Sequence, residues 1–495
     1  MKRTISFESW REHAFFVPVS GDQAKPLPEF AHLLMTVPGR SRTVRDALIN
    51  LIDSASERVF LCSFLLGGEA VRDALRRAVQ RLRGHVYVIT ALDERALQRS
   101  LAQELDEIDL DALRRERKSF EALTRHGVYV RGAESCHAKF CVVDDRAALL
   151  GSANFDPNGL DLEEPGTVAC GELGLVLEGL ERVSPLAALF RHLWKCGCQR
   201  EAPPHPDAYR LSGVSPGKEP SPRSPDAGDA VVWTGFGSTA ILAGIRRTVT
   251  AAQHTLVLGS YSFTGMRERP ALLIDDLAEA RRRGVRVEML LRDRSRDLPE
   301  ISALIDIGVE VRANRENHAK YAIADGDYGL LFSANFDGVH GLTDGVETGV
   351  WLRPEEASEV AKWHAQIWSE TPCQALRWLT PIAFAQGMPA VRHESPPFLG
   401  GRLSIVGDVD ALARCAVILE GPCLLVCDGD GTTARRMHLV GLDDVVELKP
   451  SGSDMVAFGV DRDDGIICAL PKLIVTSQRR APRWWLPLGL EVELP

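Results

Sequence analysis

"CHAKFCVVDDRAALLGSANFD" (136–156) and "NHAKYAIADGDYGLLFSANFD" (317–337) are stretches of equal length in which His, Lys, Asp, Ser, Asn, Phe and a final Asp recur at the same offsets. The likeness extends outward. "VFLCSFLLGGEAVRDALRRAVQRLRGHVYVIT" (59–90) parallels "LVLGSYSFTGMRERPALLIDDLAEARRRGVRVEML" (256–290), each reading as an apolar strand, a loop, an Arg-rich helix and a second apolar strand. Ser63 corresponds to Ser260 in that register. After each cassette a Glu opens an apolar stretch, Glu172 in "GELGLVL" and Glu347 in "VETGVWL", and Trp194 and Trp368 close matching helices. Solenoid repeats usually run about 20–50 residues, so a period this long implies two homologous domains.

Between the halves, 201–230 carries seven Pro, three Gly and four Ser and reads as a linker. The expected organisation is a first α/β domain over 1–200, the linker, a second α/β domain over 231–380 and a small, mostly β accessory domain over 399–495. That last region shows short apolar runs broken by "GD", "DGDG" and "RDDG". Within each half, strands alternate with helices, which points to a mixed sheet flanked by helices. Two such halves can pack about a pseudo-twofold axis and bring both cassettes to one seam. An insertion at 93–123 reads as a charged surface helix.

The chain has 495 residues, 45% hydrophobic and 25% charged, with a net charge of −10 and a mean hydropathy of −0.07. No apolar run approaches the roughly 18 residues needed to span a bilayer, and "MKRTISFESWREHAFF" lacks a signal-peptide apolar core. Eleven Cys without a small-domain disulfide pattern suggest reduced thiols and a cytoplasmic location. "KCGC" (195–198), Cys423 and Cys427 lack a zinc partner set and read as buried thiols.

The β-branched and aromatic residues of "HAKFCVV" and "HAKYAIA" argue for strands, on which His137 and Lys139, and His318 and Lys320, share a face. Asp144 and Asp325 follow in turn-forming "DDR" and "DGD", and Ser152, Asn154, Ser333 and Asn335 supply short hydrogen-bond donors. These groups suit a phosphodiester: Lys, Ser and Asn orient the non-bridging oxygens while one His attacks phosphorus and another protonates the leaving oxygen. Glu172 or Glu347 is expected to hold the second ring nitrogen of a His. Lysines beside both histidines disfavour a metal ion, so no metal and no cofactor is expected.

The paired H-x-K-x4-D motifs (His137, Lys139, Asp144; His318, Lys320, Asp325), each followed by S-x-N, resemble the phospholipase D superfamily. Gly151 matches the G-S-x-N pattern, whereas Phe332 replaces Gly in the second copy and removes no catalytic group. The resemblance implies a metal-independent phosphodiesterase working through a phosphohistidine. It implies His137 as nucleophile and His318 as acid/base within a catalytic set of all six motif residues, in which Asp144 and Asp325 read as structural or pKa-tuning more than as direct participants.

The family spans lipases, phospholipid synthases and nucleases. The absent membrane helices, with the Arg runs "RDALRRAVQRLRG" and "EARRRGVRVEMLLRDRSRD", lead to a nuclease acting on DNA or RNA, working with a helicase or defence-type protein partner. "RRAPRWWLPLG" (479–489), within the C-terminal region, offers a base-stacking or partner surface. The alternatives are a cytosolic phospholipase D or phosphatidyltransferase acting on phospholipid head groups, and a nucleic-acid-binding subunit whose site a partner regulates.

Overall fold

The computed structural model describes residues 23–91, 120–163 and 168–371 apart from 227, 293, 295 and 296, with the backbone of short strands nearer both ends. It packs as two compact units, one of residues 26–261 with 316–363, the other of 1–25, 262–315 and 364–495. Both cassettes fall in the first of these units. Most of the 93–123 insertion lies outside the described residues.

The cassette-bearing unit is mixed α/β. Its first sheet is built on β1 (Leu33–Val37), β2 (Val59–Cys62), β3 (Val86–Thr90), β4 (Tyr129–Gly132), β5 (Phe140–Val143), β6 (Ala147–Gly151) and β7 (Glu172–Glu178). These lie in the order β4-β3-β2-β5-β6-β7-β1, with short strands extending both edges. β2, β3 and β4 run parallel and the remaining neighbours antiparallel. The Pro-rich segment contributes to one edge, where Ser212–Gly213 pairs with Arg200–Ala202.

The second half repeats the arrangement with β8 (Val231–Gly235), β9 (Thr255–Gly259), β10 (Tyr321–Ala324), β11 (Tyr328–Phe332) and β12 (Glu347–Trp351). Their order β8-β12-β11-β10-β9 mirrors β1-β7-β6-β5-β2 strand for strand. The β5–β6 turn puts Asp144 and Asp145 at φ 54° and 55°, and the β10–β11 turn puts Asp325 and Gly326 at φ 50° and 82°. Asp and Gly are among the residues that tolerate the left-handed conformation these hairpins demand.

Helices follow from apolar spacing. In α1 (Thr43–Ser54), Val44, Leu48, Leu51 and Ile52 form the buried stripe; in α2 (Glu69–Leu82), Val71, Ala74, Leu75, Ala78 and Leu82 do. Each such Leu, Ile or Val contributes about 1.5–3 kcal/mol on burial. α2 ends where Arg83 and Gly84 turn left-handed. Its arginines lie on the opposite stripe and bind their own surroundings. Arg77 pairs with Asp53, Arg76 with Asp73, and Arg81 donates to the carbonyls of Ile52 and Ala55.

α3 (Leu180–His192) carries the tie between the halves of this unit. Arg182 forms a two-pronged ion pair with Glu356 at 2.6 and 2.8 Å, both side chains only 4% exposed, in the helix Pro354–Glu370. Glu359 of that helix accepts the backbone amides of Ala31, His32 and Leu33 as the chain enters β1.

In the other unit, Arg286–Leu291 runs parallel to Glu310–Ala313, which continues antiparallel to Cys373–Leu376 and then Phe15–Pro18. Its arginines are also engaged locally: Arg286 with Glu288 and Glu310, Arg282 with Glu279, Arg281 with the Val285 carbonyl. A cation–π contact recurs in both units, Arg131 over Trp194 at 4.7 Å in one and Arg312 over Trp368 at 4.9 Å in the other. Beyond residue 400 the chain forms short strands, among them Arg402–Val406 against Arg435–Val440 and Ile466–Leu470 beside Arg3–Ile5. Trp484–Pro487 is one of these strands, while Arg479 and Arg480 lie outside the described residues.

Removing one partner of a buried ion pair strands the other charge in low dielectric. Arg182→Met or Glu356→Gln is therefore expected to cost about 3–5 kcal/mol, read as a lower urea midpoint. The double variant Arg182→Met/Glu356→Leu should recover most of that loss.

Candidate active site

The histidines do not sit within the strands, contrary to the sequence expectation. β5 starts at Phe140 and β10 at Tyr321, so each H-x-K segment is an extended lead-in just before its strand. The reason lies in its partners. His137 donates its backbone N–H to Val346 O at 2.9 Å, and Val346 returns one to Ser135 O at 2.7 Å. The second copy does the same with the first: His318 N–H to Gly171 O at 2.9 Å, and Gly171 N–H to Glu316 O at 2.7 Å. Each lead-in is thus zipped to the residues preceding the other half's glutamate.

The side chains follow the same exchange. His137 Nδ1 meets Glu347 Oε1 at 2.7 Å, and His318 Nδ1 meets Glu172 Oε1 at 2.5 Å. The far oxygen of each carboxylate is held by a serine of its own half: Ser152 Oγ donates to Glu172 at 2.5 Å, and Ser333 Oγ donates to Glu347. Those hydroxyls also accept the amides of Leu173 and Thr348. Ser152–Glu172–His318 and Ser333–Glu347–His137 are therefore two crossed relays. Both glutamates are buried, at 1% and 3% exposure. Burial alone would raise the Glu347 pKa. The charge and hydrogen bond of His137, then Lys139 and Ser333, hold it below the usual glutamate value.

The two lysines are wholly buried beside the histidines. Lys139 Nζ donates to His137 O at 2.6 Å; Lys320 Nζ donates to His318 O at 2.8 Å and lies 3.0 and 3.1 Å from its ring nitrogens. One aromatic ring flanks each imidazole, Phe64 at 5.1 Å from His137 and Tyr261 at 5.0 Å from His318. The sequence reading passed over this pair, although "SF" (63–64) and "SY" (260–261) sit in register.

Several residues expected at the chemistry are elsewhere. Asp144 accepts the amides of Ser56, Glu57 and Arg58 and the Ser56 hydroxyl; Asp325 accepts those of Gln253, His254 and Thr255. Both stand seven residues past their histidine. At about 3.3 Å per strand residue they occupy the far end of the strand. Their carboxylates clamp the loops that lead into β2 and β9. Burial opposes ionisation of each, but the donated amides hold both below the usual aspartate range.

Ser152 and Ser333 likewise serve the glutamates. Ser63 and Ser260 accept the Phe155 and Phe336 amides and are buried turn residues. Asn154 and Asn335 each hold a buried Oδ1 with no hydrogen-bond partner among the described residues, which suits a hydroxyl or water donor. Phe332, where the motif has Gly, packs on Phe336 at 5.8 Å. Among the described residues no set of His, Cys, Asp and Glu has the arrangement of a metal site.

The family described as "Cardiolipin synthase, PLD-like domain" matches residues 48–194 and 245–368. The chain belongs to that family. It is therefore a member of the phospholipase D superfamily of phosphodiesterases, and both matched segments carry a complete cassette. No curated protein matches it in sequence. Among solved structures it is similar to phosphatidylserine synthase of Haemophilus influenzae Rd KW20, at 16% identity and TM-score 0.47, covering 74% of this chain and 91% of that one. It is also similar to polyphosphate kinase of Porphyromonas gingivalis, at 15% identity and TM-score 0.44, covering 70% and 48%. A third is Nuc of Salmonella typhimurium, a phospholipase D family member, at 19% identity and TM-score 0.25, covering 28% and 93%.

An imidazole whose Nδ1 is held by a carboxylate presents Nε2 for attack or proton transfer, and its cationic form is stabilised by that carboxylate. Two such groups with buried lysines beside them form a chemistry set for an anionic phosphorus centre. Glu172→Gln and Glu347→Gln are each expected to lower kcat by about 10²–10⁴ without unfolding the chain. Ser333→Ala should couple energetically to Glu347→Gln and not to Glu172→Gln in a double-mutant cycle.

Asp156 gives a second test. It is buried at 8% exposure and caps the short helix Pro157–Leu160 through Gly159 N–H; burial, then the charge of Glu172, pushes its pKa up to about 6. A carboxyl titrating higher in the fold than in the unfolded chain loses stability as pH rises through that interval. Asp156→Asn should therefore gain up to about 3 kcal/mol near pH 7, shrinking toward zero at pH 4, as thermal unfolding across pH will show.

Proposed function

We propose that the chain hydrolyses or transfers the phosphodiester of phospholipid head groups through a phosphohistidine. The observation that carries the chemistry is the pair of crossed relays, with His137 bound to Glu347 and His318 bound to Glu172. One imidazole bonds to phosphorus while the other gives a proton to the departing oxygen. The second then takes a proton from the incoming water or alcohol, which displaces the histidine. We assign the attack to His137 and the proton transfers to His318. A leaving group and an acceptor enter and exit at the same face, so hydrolysis and transfer differ only in which hydroxyl arrives second.

The phospholipid class is supported by the family match over both cassettes, whose description is a cardiolipin synthase domain. The nuclease expectation rested on the lack of membrane helices and, in support, on the two Arg runs, and much of the charge of those runs is engaged in local ion pairs and carbonyl contacts. The lipid alternative is accordingly favoured over the nuclease. Among the described residues no helix is long and apolar enough to cross a membrane, so substrate is proposed to be met at a lipid surface.

The test offers the purified chain, in EDTA, vesicles of phosphatidylglycerol and phosphatidylethanolamine, with and without added glycerol, and in parallel single-stranded DNA, duplex DNA and RNA. Head-group release or exchange is expected, with intact nucleic acid, and His137→Asn and His318→Asn are each expected to lose it completely. Cleaved nucleic acid and unchanged lipid would overturn the substrate class; loss of turnover in EDTA would overturn the metal-free chemistry.

A further inference from the structure

The two copies of the cassette differ immediately before the histidine. In the second half this position is Asn317, whose Nδ2 donates to Ser260 O at 2.8 Å and so ties the lead-in to the end of β9. In the first half it is Cys136, and the residue before Ser63 is Cys62 where the second half has Gly259. The two thiols replace the amide tie: their sulfurs lie 3.3 Å apart, closer than ordinary packing of uncoupled side chains, and both are buried. A disulfide closes that gap to about 2.05 Å and imposes its own dihedral preference.

We propose that Cys62 and Cys136 form an oxidisable pair whose disulfide shuts down the His137 side of the site. This regulation rests on the function proposed above, whereas the modification itself does not. Cys136 sits one residue from exposed Ser135 and one from His137, so a small oxidant has only a single residue of cover to pass. The two thiols share a hydrogen bond, and the Ala138 amide donates to Cys136. These hydrogen bonds lower the Cys136 pKa against the cost of burial, while burial first, and then the same pairing, raises that of Cys62. Its place one residue from exposed Ser135 assigns Cys136 the attack and Cys62 the resolving role.

The oxidant is a hydroperoxide. Cys136 thiolate attacks the peroxide oxygen, the O–O bond breaks, and the departing oxygen takes a proton to leave as water or alcohol. The Cys62 sulfur then displaces the hydroxyl from the sulfenic acid at Cys136, and that hydroxyl takes up the Cys62 thiol proton and leaves as water. Two thiols lose two electrons and the peroxide gains them. Drawing Cys136 toward β2 pulls on the neighbouring His137, whose amide bonds Val346 O and whose ring bonds Glu347.

The full-length chain is treated with hydrogen peroxide, quenched with an alkylating agent and digested with trypsin. The expected product joins peptide 59–72 to peptide 132–139, and dithiothreitol separates them. In the same samples, turnover of bis(p-nitrophenyl) phosphate should fall at least ten-fold and return on reduction. Cys62→Ala should keep its turnover through peroxide treatment. Amide exchange over 133–143 needs no substrate and should quicken at His137 on oxidation, so the switch is read even if no phosphodiester is turned over. Absence of the joined peptides, or linkage of either to the peptide bearing Cys198, overturns the pairing. A disulfide that leaves both turnover and exchange unchanged overturns the switch.

Discussion

Everything in the cassette-bearing unit depends on one exchange: each histidine finds its carboxylate in the other half. The exchange is enforced twice, by side chain through His137–Glu347 and His318–Glu172, and by backbone through His137–Val346 and His318–Gly171. A buried charged hydrogen bond of this kind is strong only where its geometry is fixed beforehand. The two sheets, the Arg182–Glu356 pair and the Glu359 capture of residues 31–33 supply that fixity. The Asp144 and Asp325 clamps set the far ends of the strands that the lysine-bearing lead-ins enter, acting from a distance on the same geometry.

Concentrating two lysines, two glutamates and two histidines with little solvent contact is costly unless each charge is answered nearby. Here the answers are local. Glu347 stays ionised because His137, Lys139 and Ser333 all favour its charge. The buried lysines lean on carbonyls of the histidines they accompany, which keeps cation and imidazole in a fixed relation without asking the histidine to bind metal. The dry surroundings that make these charges expensive also make each more effective on an incoming phosphate.

The cassettes, their strands and the α/β class were legible because the duplication doubles every signal: "HAK" and "SAN" recur at equal spacing, and apolar runs flank them in the same order. The crossing was not, because sequence places Glu172 near His137 along the chain and says nothing of which seam it faces. The carboxylate partners of the serines were hidden for a related reason, since a hydroxyl suited to phosphate is equally suited to a buried carboxylate. Asp144 and Asp325 carried a catalytic and a structural reading at once, because they belong to the motif and a left-handed turn residue with a carboxylate is also the natural collector of three loop amides. The Arg runs carried positive charge in one dimension and local ion pairs in three. Phe64 and Tyr261 stayed hidden because a ring beside a repeated serine has no distinctive spacing of its own.

Joining the two halves in one polypeptide has a consequence for labour within the site. An assembly of two identical chains would give both imidazoles the same neighbours, and a phosphorus between them would meet equivalent groups from either side. Fusion lifts that equality. Asp156 is buried against the turn beside Glu172 while its counterpart Asp337 is half-buried, and the His318 side chain is 7% exposed against 16% for His137. Mutation can therefore tune one imidazole without dragging the other along, and a pseudo-symmetric site acquires a front and a back.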